Sequence, residues 1–107
     1  MVLEKNTFCS IINILNNELK DINFNYNIIK EKLDIEIKHH HLKEYIRLLK
    51  KWGYVNNTGG KTPLTVLKLI PKYSINYIIN NRFCKEDEIN IFKKQINRKI
   101  FLNMLFD

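Results

Sequence analysis

The sequence predicts an α+β domain that is mostly helical. Three observations carry this: apolar residues recur at spacings of three and four along several stretches, two β-prone runs flank one glycine-containing connection, and 107 residues suffice for one hydrophobic core but not two. At 45% hydrophobic and 27% charged, the chain lies among folding sequences and away from disordered ones.

Thr7 is the expected cap of a first helix carrying Phe8, Ile11, Ile12, Leu15 and Leu19 on one face. Asp21 to Phe24 offers a short extended piece, with Ile22 and Phe24 alternating against asparagine. Asn25 is placed to cap a second, shorter helix with Ile28, Ile29 and Leu33. After a brief turn at Ile35 to Ile37, a third helix runs to about Trp52. Projected at about 100° per residue, Leu42, Tyr45, Ile46, Leu49 and Trp52 share one side, with Leu48 at its margin. His40, Lys43, Glu44, Arg47 and Lys51 share the other, which must face outward.

Gly53 stops that helix, as a residue free to take positive φ does. Tyr54 to Asn57 and Thr62 to Ile70 then read as two strands joined by Thr58-Gly59-Gly60-Lys61. Pro63 belongs near the hairpin tip or on an edge, and Pro71 closes the second strand. Tyr73 to Arg82 is expected as a short helix with Ile75, Ile78 and Ile79, and Lys85 to about Phe106 as a longer one opened by Glu86, Asp87 and Glu88.

The net charge of +7 is unevenly placed. Residues 1–37 carry net −2, residues 73–107 net +2, and residues 38–72 net +7, where seven lysines and Arg47 face only Glu44. That asymmetry is the electrostatic footprint of a nucleic-acid-binding face, although a solvated basic surface alone can produce it. Alanine is absent while Asn, Ile and Lys abound, a skew expected from AT-rich DNA of a low-GC bacterium, phage or plasmid.

The order helix, short strand, helix, turn, helix, hairpin, with further C-terminal helices, resembles the winged helix-turn-helix family over residues 7–70. Its most telling piece is Leu42, Ile46, Leu49 and Gly53 followed by Tyr54-Val55. The segment Asp34 to His41 is longer than the family's common pattern. The resemblance implies a domain at residues 1–72 whose third helix lies in the DNA major groove and whose hairpin wing touches backbone or minor groove. Residues 73–107 would be C-terminal helices packed on the same core.

The physics of such a groove fits the residue types. A groove about 12 Å wide admits one helix, whose long donors reach base edges while flanking lysines meet phosphates. Lys38, His39, His40, Lys43 and Arg47 lie on or beside the exposed face, and Arg47 is the best candidate for a bidentate contact to guanine. Lys50, Lys51 and Lys61 suit phosphates, and Asn57, Thr58, Thr62 and the amides of Gly59 and Gly60 can add neutral contacts.

The consecutive histidines His39, His40 and His41 diverge around a helix and lack a further ligand, so no metal site is expected. Instead His40 should point outward, His39 should lie on a flank, and His41 should lean toward packing. A pH-sensitive role stays open, since histidine in general titrates at about 6.5. Aromatics among basic residues can stack single-stranded bases, but Trp52 and Tyr45 share the apolar face, which leaves Tyr54 open. Thr58-Gly59-Gly60-Lys61-Thr62 lacks the spacing of a phosphate-binding loop, no serine sits in a nucleophile motif, and the acids do not pair with the histidines. Neither enzymatic activity nor a cofactor is expected. Cys9 reads as a small core residue, and Cys84 carries no assignment.

Ile89, Phe92, Ile96, Ile100 and Met104 form a stripe of helical spacing, expected to pack against its copy in a homodimer; the alternative is that this helix folds back and completes the monomer core. No apolar run is long enough to cross a bilayer and MVLEKNTF is no basic leader, so a cytoplasmic location is expected. The expected partner is double-stranded DNA, in regulation, partition, or work at an origin of transfer beside another protein on the same DNA. The alternative is an interaction module whose basic face docks an acidic protein.

Overall fold

Phe8, Ile11, Ile12, Ile14 and Leu15 recur along α1 (Lys5–Asn17) and are all buried, so this helix forms one wall of the core. The computed structural model describes residues 3–57, 63–72 and 74–95. The helix begins earlier than Thr7 predicts. Glu4 is its N-cap, its main-chain N–H donating to the Tyr45 hydroxyl at 2.9 Å, while the Thr7 hydroxyl lies inside the first turn and donates to the Glu4 carboxylate at 3.4 Å. A contact from Tyr45, distant in the chain, thus fixes the start that sequence places at the local hydroxyl. Leu19 is buried just past the helix, its N–H returning to the Ile14 carbonyl at 3.2 Å.

The expected cap of α2 (Tyr26–Lys32) is present, with Asn25 Oδ1 accepting from the Ile28 N–H at 2.9 Å. α3 (His39–Lys51) starts after Lys38 and buries Leu42, Tyr45, Ile46, Leu48 and Leu49. Its exit is a Schellman turn: Gly53 takes φ +80°, its N–H bonds to the Lys50 carbonyl at 3.1 Å, and the Tyr54 N–H bonds to the Leu49 carbonyl at 3.0 Å.

β1 (Val55–Asn57) and β2 (Leu64–Val66) pair antiparallel, with Val55 opposite Val66 and Asn57 opposite Leu64. Phe24 bridges Leu64 on the other side of β2, so the extended piece after α1 is tied to the hairpin. The second strand is shorter than the run Thr62 to Ile70 predicts. Beyond Val66 the main chain turns to other partners: the Leu67 N–H reaches the Tyr54 carbonyl, and Ile70 is held by the Asn16 side chain.

α4 (Ser74–Asn80) and a fifth helix, α5, described over residues 86–95, complete the element order and give five helices and a two-stranded sheet among the described residues. α4 packs against α1. Trp52, at the end of α3, meets the Tyr77 and Phe92 rings edge-on at 6.0 and 5.4 Å, and those two rings stack at 3.6 Å. Ile75, Ile78 and Ile89 belong to the same buried cluster as Phe8 and Leu42, so α4 and α5 share one core with α1 to α3. Of the stripe expected to pair with a second copy, Ile89 is buried within the chain and Phe92 stacks on Tyr77; Ile96, Ile100 and Met104 lie outside the described residues. Among the described residues no helix is long and apolar enough to cross a membrane.

Candidate functional site

Because the apolar residues of α3 face inward, its cations face outward. His39, His40, Lys43, Arg47 and Lys51 are exposed, as is Lys38 at the cap, while His41, Glu44 and Lys50 are half-buried. Lys50 and Lys51 in the last turn also complement the negative end of the helix dipole. Glu44 is the one acid here, and its carboxylate pairs with Arg47 at 3.0 Å. The Arg47 side chain is largely in solvent and that of Glu44 is partly so, so this pair is worth only about 0.5 kcal/mol and leaves the guanidinium free to exchange partners.

Each flank of α3 is continued by another element. On one side stands Tyr26, the first residue of α2. The His39 ring meets it edge-on at 5.2 Å, and the Lys43 ammonium lies 5.9 Å from its ring centroid. On the other side stands the turn between α4 and α5. Lys51 Nζ donates to the Arg82 carbonyl at 2.8 Å, and the Arg82 guanidinium lies 4.9 Å from the Phe83 ring. Two clefts run between this turn and α3. One of about 510 Å³ is lined by Leu3, His40, His41, Glu44, Arg82 and Phe83; a smaller one of about 190 Å³ reaches Arg47, Leu48 and Lys51.

The expected histidine directions match the exposure pattern, with His41 tucked beside His40 at 4.2 Å between ring centroids. Trp52, Tyr45 and Tyr54 are all buried, which removes them as stacking surfaces. Among the residues expected to form a wing, Asn57 is exposed at the end of β1; Thr58, Gly59, Gly60, Lys61 and Thr62 lie outside the described residues. No cluster of three His, Cys, Asp or Glu side chains placed for a metal ion occurs among the described residues.

Sequence reasoning missed Tyr26, Arg82 and Phe83 at this site. Tyr26 carried a signal, since it directly follows a helix cap. Phe83 carried a weaker one, being an aromatic in the polar turn Asn80-Asn81-Arg82. Lys93, on α5, lies half-buried over Gly53.

In sum of charge and shape, the site is a convex helix face bearing guanidinium, ammonium and imidazole donors. Such a face can pair with anionic oxygens and hydrogen-bond planar acceptors. Comparison with protein-family models, curated proteins and solved structures finds no match to this chain.

Proposed function

We propose that this protein is a sequence-specific double-stranded DNA-binding protein of winged-helix type, with α3 as the recognition helix. The observation that carries the proposal is the division of α3: its inner side is fully apolar and its outer side presents Lys43, Arg47, Lys51 and two histidines against Glu44 alone. Thirteen residues give a rod of about 20 Å, a length suited to a major groove about 12 Å wide. Arg47 reads a base edge, and Lys38, Lys43, Lys50 and Lys51 pair with phosphates. A homodimer would set two α3 helices on successive half-sites one helical turn apart. A light-scattering mass equal to the monomer at micromolar protein removes that part.

The test is to incubate the protein with sheared DNA of its source at about 0.15 M salt and sequence what is retained. Enrichment of one short locus supports specific recognition, and its neighbouring genes point to regulation, partition or transfer. Neutralising about six phosphates gives a log–log salt slope near −5. Uniform recovery overturns sequence specificity in favour of nonspecific DNA binding, and absent recovery overturns the proposal in favour of an acidic protein partner for the same face.

A further inference from the structure

Phe83 is 85% exposed, the most exposed large apolar side chain among the described residues, and the turn that carries it is tied down by hydrogen bonds. The Asn81 N–H and side-chain amide both bond to the Tyr77 carbonyl, the Cys84 N–H bonds to the Asn81 carbonyl at 3.0 Å, and Lys51 ties the turn to α3. A hydrogen-bonded corner that holds a phenylalanine in water beside a cationic helix calls for an occupant that is anionic and also has apolar surface.

Taking the duplex-binding function above as the premise, we propose that the Arg82–Phe83 corner is a second DNA-contacting element, gripping the backbone strand opposite the one that α2 faces. A helix in the major groove has a sugar-phosphate wall on each flank. Tyr26, His39 and Lys43 stand on one flank of α3, and Arg82 and Phe83 on the other. Arg82 pairs with a phosphate, and Phe83 packs on the apolar face of a deoxyribose. The charge around the corner agrees. Arg47, Lys51 and Arg82 line the smaller cleft with Glu44 alone opposing them, and none of Glu86, Asp87 and Glu88 lines either cleft.

The two residues have separable signatures, because an ion pair with phosphate releases a counterion and an apolar contact does not. Full-length protein is titrated onto its retained duplex at several salt concentrations, with hydroxyl-radical footprinting of both strands. Arg82→Ala is expected to weaken binding and make the salt slope shallower by about one. Phe83→Ala is expected to weaken binding about fivefold with the slope unchanged, a loss typical of one partly buried apolar contact. Each should erase the same protected nucleotides on one strand, whereas Lys94→Ala, an exposed lysine lining neither cleft, should not. Circular dichroism checks that all three fold. If the parent protein binds the duplex and both variants keep its affinity, slope and footprint, the corner is no DNA contact, although the recognition-helix function stands. A parent protein that binds no duplex overturns both. If Phe83→Ala abolishes capture of an acidic helical peptide while duplex binding is unchanged, the corner serves a protein partner and the proposal fails.

Discussion

Asn16 and Ile70 hold each other by two hydrogen bonds, the side-chain amide donating to the Ile70 carbonyl at 3.1 Å and its oxygen accepting the Ile70 N–H at 3.0 Å. A single side chain on α1 thereby supplies what a neighbouring strand would have supplied. It anchors the chain as it leaves the hairpin, and Ile70 drops into the core. Asn16→Ala leaves two main-chain groups to find water in a partly buried place, at a cost of about 2 kcal/mol. Urea unfolding followed by fluorescence of Trp52, the sole and buried tryptophan, measures the loss. A change below about 0.3 kcal/mol would mean that solvent satisfies these groups already.

At Gly53 the expected loss on substitution comes from the backbone. A Cβ there would lie 2.9 Å from Lys93 Nζ, the mobile end of a flexible side chain that can swing aside. The φ of +80° has no such escape. Gly53→Ala should therefore cost about 1–2 kcal/mol, and Gly53→Asn less. The double variant Gly53→Ala with Lys93→Ala discriminates the causes: it should stay as unstable as Gly53→Ala alone. Recovery to parental stability in thermal unfolding would place the cost in the lysine contact instead.

These two residues also mark what a sequence can and cannot reveal. Gly53 was legible because its reason is local: the apolar spacing of Leu42, Ile46 and Leu49 ends there, and only a residue tolerant of positive φ closes the turn. The same holds for Asn25 and its bond three residues on. Asn16 was illegible because its partner is 54 residues away. The start of α1 was misread at Thr7 for the same reason, since the Tyr45 hydroxyl that fixes Glu4 lies on another helix. For the candidate site, periodicity separated the outward cations of α3 from its core, whereas the approach of Tyr26 and of the Arg82–Phe83 turn depends on how whole helices pack.

Cys84 should behave as a sluggish thiol. Partial burial, and then the neighbouring Glu88 carboxylate, which disfavours a thiolate, push its pKa above the ordinary cysteine value, while the thiol itself donates to Asn81 Oδ1 at 3.6 Å. Lys51 acts weakly in the opposite sense. A raised pKa means less thiolate at neutral pH, so alkylation is slow and accelerates only as pH climbs past the usual thiol range. Glu88→Gln removes the charge repulsion and should speed iodoacetamide labelling of Cys84 at pH 7.5, read by peptide mass spectrometry against Cys9 in the same sample. An unchanged rate would leave burial as the sole cause.

Glu44 supplies a gain-of-function test of the proposed duplex-binding face. Its carboxylate holds Arg47 at 3.0 Å and is the one acid among the outward residues of α3. Binding a duplex must break that pair and bring the carboxylate toward phosphates, two costs that an uncharged isostere avoids. An exposed pair of this kind is worth about 0.5–1 kcal/mol, so Glu44→Gln should tighten duplex binding about two- to fivefold at low salt. The gain should shrink as salt rises, because screening already weakens the repulsion. Arg47→Ala moves the other way and costs about 1–3 kcal/mol on the preferred duplex while altering random DNA less, as expected of a bidentate base contact. Combining the two separates the roles: with Arg47 removed, Glu44→Gln keeps only the part of its gain owed to phosphate repulsion. If Glu44→Gln weakens the duplex, the carboxylate is itself a contact, accepting from a cytosine amine, and the recognition face must be redrawn around it.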